Sequence, residues 1–238
     1  MAQKQLDTLV EDIYSSLSNL SNNEPLDIDD ASIDQVGESI KKVIKDWARP
    51  AERNKKFYLR MSNIGKPARQ LWFENKYERE DRAIAPHTFI KFLYGHLLEE
   101  IVLMLVRLAK HKVTDEQKEV EVSGIKGHID CKIDNEVVDI KSASGFSFAK
   151  FKNETLREDD PFGYIAQLTG YENAEGTNHG GLLVINKESG ELTLYRPEEL
   201  DKPVTRMMIE GLQRELKLDE PPPLCYAPVP DGSKGNMR

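Results

Sequence analysis

The stretch from Gly127 to Lys141 carries two carboxylates and one ammonium where a single hairpin would gather them. Asp130 falls on one expected strand, 128–134, and Asp139 and Lys141 fall on the next, 136–142. Asp134-Asn135 between them is favourable chemistry for a two-residue hairpin turn. Side chains alternate along a strand, so Asp139 and Lys141, two apart, share a face. Two carboxylates and an ammonium converging on one spot suit a hard divalent cation and a polarised water. Alone, Asp…Asp-x-Lys is a weak signal, because acidic chains contain such triplets by chance.

Three further groups flank this core. Upstream, Gly95-His96-Leu97-Leu98-Glu99-Glu100 lies in an apolar helix expected over 86–110. A helix turns about 100° per residue, so only one of Glu99 and Glu100 can face the strands squarely. Downstream, Gln167 and Tyr171 stand at i and i+4, one face of a helix expected over 162–175. Ahead of both, Ser62-Asn-Ile-Gly-Lys-Pro-Ala-Arg69 opens a helix expected over 62–74. Taken singly, each has an ordinary alternative: solvated acids, a surface lysine, a helix N-cap at Ser62, a packed helix at Gln167 and Tyr171. His128 reads as a strand neighbour of Asp130 rather than a ligand.

In this order the groups resemble the PD-(D/E)XK nuclease superfamily, and in particular its RecB-like exonuclease branch with a Gln-x-x-x-Tyr motif. The resemblance covers about residues 58–200. It implies an α/β fold, a mixed central β-sheet flanked by helices (restriction-endonuclease-like core), here with an N-terminal helical extension. It implies Asp130, Asp139, the Ile140 carbonyl and Glu99 as ligands of Mg²⁺ or Mn²⁺, with Lys141 as the catalytic ammonium. Gln167 and Tyr171 would orient Lys141 and the nucleic-acid backbone, and Ser62 and Arg69 would touch phosphates. Pro67 stands where iron–sulfur members of the branch carry their first Cys. A four-Cys cluster needs four thiolates, and the chain has only Cys131 and Cys225, so no cluster is expected.

The chain has 238 residues, a net charge of −8 and 31% charged residues, with 39% hydrophobic content for a core. Net acidity looks wrong for a nucleic-acid partner, but its distribution does not. Residues 1–40 hold nine acids and one base, whereas 41–82 hold thirteen bases and six acids. That basic block surrounds Ser62 and Arg69 and carries Trp47, Phe57, Tyr58, Trp72, Phe73 and Tyr77. Bases interleaved with aromatics suit phosphates and stacked nucleobases, although a solvated helical pair would also account for them. There is no apolar run of membrane length, no signal-peptide pattern and no disulfide framework. The expected place is therefore the cytoplasm of a bacterium or phage-infected cell, with no membrane partner.

Amphipathic helices are expected over 1–20 and 31–47, the second stopped by Pro50. Strands are expected over 118–123, 128–134, 136–142, 181–186 and 191–196, with a polar, partly aromatic connection over 143–161 and a last helix over 203–218. The expected division is an N-terminal helical extension (1–57), a nuclease domain (58–220) and a loosely held Pro-rich tail (221–238). With no Gly-x-x-x-x-Gly-Lys-Ser/Thr loop the chain has no motor, so free DNA ends, single strands, or a separate helicase or recombination protein are the expected partners. The expected activity is exonucleolytic phosphodiester hydrolysis in repair, recombination or phage DNA processing. A non-catalytic nucleic-acid-binding subunit on the same fold is the alternative from another class, and a phosphoesterase of small nucleotides a third.

Overall fold

The structure is a computed structural model that describes residues 4–49, 56–77, 84–225, 230–231 and 236–237. Helices α1 (Leu9–Ser21), α2 (Asp30–Trp47), α3 (Ala68–Lys76) and α4 (Pro86–Leu108) precede five strands, β1 (Val113–Thr114), β2 (Glu119–Val122), β3 (Ile125–His128), β4 (Cys131–Ile133) and β5 (Glu136–Ala143). Then come α5 (Gly145–Lys152), α6 (Tyr164–Glu175), β6 (Gly181–Asn186), β7 (Leu192–Tyr195) and α7 (Thr205–Glu215). The main sheet has the order β1-β4-β5-β6-β7, with β5 and β6 parallel and the other pairs antiparallel. This is the mixed α/β architecture expected: a five-stranded mixed sheet between helices. Among the described residues no helix is long and apolar enough to cross a membrane.

Both faces of the sheet are covered, which explains why β6 is buried at all six positions. One face of β5 sends Val138 and Ile140 against Leu98, Val102 and Val106 of α4 and against Leu9 and Ile13 of α1. The other sends Val137 and Ala143 against Phe148 and Phe151 of α5 and Ile165 and Leu168 of α6. Asp139 and Lys141 belong to this second face by strand alternation. The N-terminal helix α1 is thus packed into one of the two apolar layers. Burying Leu6, Leu9 and Ile13 contributes several kcal/mol of apolar transfer, at roughly 1.5–3 kcal/mol per side chain.

Four expectations are corrected. The strand expected over 128–134 is two strands. β3 pairs with β2 in a separate two-stranded sheet, β4 pairs with β5, and the chain changes sheets at Ile129-Asp130. The helix expected from Ser62 starts only at Ala68. Met61–Asn63 is a 3-10 turn, and Pro67, at ψ 129°, stands outside the helix as its N-cap. The connection over 143–161 contains α5, because Phe148 and Phe151 have a sheet face to bury against. The beginning of the tail is held at one point, where Arg69 donates to the Pro222 carbonyl at 2.7 Å; just ahead of the tail, Trp72 Nε1 donates to the Leu218 carbonyl at 2.9 Å. Pro50, expected to stop α2, lies outside the described residues.

Candidate active site

The β4–β5 hairpin closes on Asp134 and Asn135, both at positive φ (51° and 75°), the backbone a type I′ turn requires. The ladder runs from Ile133↔Glu136 to Cys131↔Val138 and stops there. Beyond it the Asp130 side chain replaces the missing strand: its Oδ2 accepts the Ile140 N–H at 2.7 Å. The main chain of Asp130 is fixed from the other side, its carbonyl accepting from Gln117 N at 3.0 Å, while Ile129 N donates to Lys118 O at 3.1 Å. The N–H and C=O of one strand residue leave on the same edge. The Ile140 carbonyl therefore faces the edge that Asp130 occupies.

On β5, Lys141 Nζ lies 2.5 Å from Asp139 Oδ2. The contact is a buried ion pair in which the ammonium is the partner of that carboxylate oxygen. Asp139 is 2% exposed. Lys141 also stands 5.3 Å from the centre of the Tyr164 ring, a cation–π contact. Tyr164 is delivered there by the start of α6. Asp160 accepts the N–H groups of Gly163, Tyr164 and Ile165 at 2.9, 3.0 and 2.9 Å, satisfying donors the helix leaves open. Gly163 is at φ +74°, and a Cβ on the facing Gly65 would lie 2.4 Å from its Cα. Two glycines thus let the 61–65 segment strap across the entry to α6.

Helix α4 chooses between its two acids. Glu99 accepts from Gln117 Nε2 at 2.9 Å and feels Asp139 and Lys141. Glu100 has Ser39, Lys42, Arg107 and Glu116 around it, on the α2 side. Burial first, then repulsion from Glu100 and Asp139, pushes Glu99 up to about 7. Burial, then Asp139 and Glu99, hold Asp130 well above the ordinary carboxylate range. Burial alone would pull Lys141 down, but Asp139 and Asp130 outweigh it and keep the ammonium charged. Asp130, Asp139 and Glu99 feel one another's charge, and one lysine offsets only part of it. Such burial costs several kcal/mol unless a partner neutralises it.

The donors fit a hard cation: carboxylate oxygens and a backbone carbonyl on the edge that Asp130 occupies. Among the described residues no three His, Cys, Asp or Glu side chains already form a metal-holding group. Mg²⁺ does not require one, since it is commonly held by one or two carboxylates, several waters and the substrate's own phosphates.

The other expected residues divide. Gln167 Nε2 donates to the Tyr171 hydroxyl at 3.1 Å, both buried. Burial, then Asp139 and Asp130, raise the Tyr171 phenol, so its hydroxyl lies within reach of the acids' field. The pair has no hydrogen bond to Lys141, and the Tyr171 ring packs over Gly127. Ser62 is exposed on the 3-10 turn. Arg69 is not brought to the acids: its guanidinium lies 5.4 Å over the Phe73 ring and binds the Pro222 carbonyl. His128 is exposed beside Glu119, as a strand neighbour should be. Two residues escaped the reading of the sequence. Tyr164 had a signal, an aromatic at the opening of the Gln167 helix. Gln117 had none; it occupies a left-handed loop position at φ 53°.

No family model matches the chain, and no curated protein is similar to it in sequence. Among solved structures, the chain is similar to a phage-related exonuclease from Haemophilus somnus, with a TM-score of 0.43, 11% identity, and coverage of 68% of this chain and 91% of that one. It is also similar to an alkaline exonuclease, LHK-Exo, from Laribacter hongkongensis, with a TM-score of 0.40, 13% identity, and coverage of 65% and 91%. A third similar structure is that of SSO0001, at TM-score 0.35, 18% identity, and coverage of 76% and 84%.

Proposed function

We propose that this protein is a Mg²⁺- or Mn²⁺-dependent nuclease that hydrolyses phosphodiester bonds in DNA, working inward from free ends. One observation carries the reading: Asp130 caps at 2.7 Å the N–H of Ile140, the residue that separates Asp139 from Lys141 along β5, and those two side chains pair with each other at 2.5 Å. Carboxylates commonly accept backbone N–H groups, as Asp29 and Asp160 do here, but this one is buried and set near two further acids, Asp139 and Glu99, which together disfavour its charge.

Asp130, Asp139 and the Ile140 carbonyl would hold the ion, with Glu99 reaching it directly or through water. Such an ion supplies a water of lowered pKa and positive charge beside the phosphate. Lys141 holds its proton across the neutral range, so its ammonium is available to offset charge growing on the phosphate oxygens. The Tyr164 ring limits where that ammonium can go, a form of preorganisation. Tyr171, a protonated phenol bonded to Gln167, offers a donor near the acids for a phosphate oxygen. Ser62, exposed on the strap, would add a further phosphate contact. Arg69 would act through the position of α3 and the tail. Residues 58–220 would carry this chemistry, with 1–57 bracing α4 and 221–238 following as the tail. Recombination, repair and phage DNA processing are the settings that suit a nuclease without a motor, with a helicase or recombination protein supplying opened ends.

The test is digestion of end-labelled single-stranded, duplex and circular DNA with Mg²⁺, Mn²⁺ or chelator. Loss of linear DNA with survival of circles, abolished by chelator, is the expected result. Binding without turnover under every metal condition would replace this reading with that of a non-catalytic binding subunit.

A further inference from the structure

A cleft of about 200 Å³ opens from Lys141 away from the acids, between α5, the 159–164 segment and the turn after β6. Its walls combine cations and aromatics with one carboxylate, Asp159. Phe162, 59% exposed, stacks on Tyr164 with ring centres 5.4 Å apart and planes 28° apart. Tyr164 in turn faces Lys141. An aromatic ladder therefore runs from the lysine of the site out to a free ring face. Lys150 and Lys187 line the same cleft with Ser147. The Lys150 ammonium is shared between Asp159 and the face of Phe146. Lys187 is exposed and has no carboxylate partner among the described residues.

Resting on the nuclease reading, we propose that this cleft takes the unpaired terminal nucleotide of a DNA strand, its base on Phe162 and its phosphate between Lys150 and Lys187. The argument for an unpaired end is physical. The terminal base of a paired duplex has one free face but is held in the plane of its base pair and cannot turn into the cleft, whereas an unpaired base can enter and gain by stacking on an aromatic ring. Lys187 supplies most of the phosphate attraction that such sites combine with stacking, because Asp159 offsets the charge of Lys150. Phe162 stacks on Tyr164 through one face and is otherwise widely exposed, which leaves ring surface for a base.

The experiment uses full-length protein in chelator, so that binding is read without cleavage. An oligonucleotide with 2-aminopurine at its end is titrated as a single strand and as a fully paired duplex, with the label at either end. The wild-type protein should quench the single strand. Phe162→Ala should lose that quenching and at least about tenfold in affinity for the single strand, with little change for the paired duplex. Lys187→Ala should weaken binding while the quenching at saturation is retained. Unchanged affinity and quenching in Phe162→Ala, or equal losses for both DNA forms, would overturn the proposal. The two readings fail separately. A wild-type protein that stacks the end but never cleaves with Mg²⁺ or Mn²⁺ removes the nuclease, whereas cleavage indifferent to Phe162 removes the cleft.

Discussion

The Asp130 carboxylate takes the place of a strand residue beside Ile140, accepting its N–H where the β4 ladder has ended. One side chain therefore both terminates a sheet pairing and faces the acid of the neighbouring strand. Structure and chemistry can be separated there by choice of substitution. Asp130→Asn can keep an acceptor for Ile140 N–H while removing the buried charge. It should abolish metal-dependent cleavage yet hold or raise the melting temperature in chelator. Asp130→Ala loses the acceptor as well and should melt lower than Asp130→Asn, by roughly the 1–3 kcal/mol of an unsatisfied buried donor. Equal melting of the two variants would show that the contact does not support the fold.

Asp139→Asn and Lys141→Ala should each reduce cleavage by at least about 10²-fold, the scale of removing one preorganised charged group. Circular dichroism and melting should show both folded, because the apolar layers on either side of β5 are untouched. Near-normal Mg²⁺-dependent digestion by either variant would dismiss their assigned roles.

Glu99 gives the metal-free protein a pH dependence. Burial and its acidic neighbours raise it from the usual glutamate value to about 7, so the folded form holds this proton more tightly than the unfolded chain. Stability contributed by that proton is present at low pH and is lost as pH rises through the window from about 4.5 to about 7, an effect on the order of 3 kcal/mol. The melting temperature in chelator should therefore fall between pH 5 and pH 8. Glu99→Gln should flatten the fall, and Mn²⁺ should raise melting more at pH 8 than at pH 5. A pH-independent melting curve in chelator would contradict the buried acidic cluster.

The strap over α6 depends on two glycines in contact. A Cβ at position 65 would lie 2.4 Å from Gly163 Cα, with backbone rather than a flexible side chain in the way. Gly65→Ala should cost about 1–3 kcal/mol and lower the melting temperature by several degrees. Gly176→Ala, with open space around it but a φ of +66°, should cost less.

Much of this protein could be read from its residues because the signals are local. The Asp134-Asn135 turn, strand alternation placing Asp139 beside Lys141, and the apolar spacing of α1, α2 and α4 depend on neighbours a few positions apart, where backbone geometry leaves few choices. Local pattern could not show that the chain changes sheets at Ile129-Asp130, because a strand residue paired in one sheet reads like a residue paired in another. Nor could it choose Glu99 over Glu100, place Gln117 against Glu99, set Tyr164 under Lys141, or divert Arg69 to the Pro222 carbonyl. Those contacts join segments up to 153 positions apart. They are decided by how two helical layers close over one sheet, a packing outcome that no short window of sequence contains.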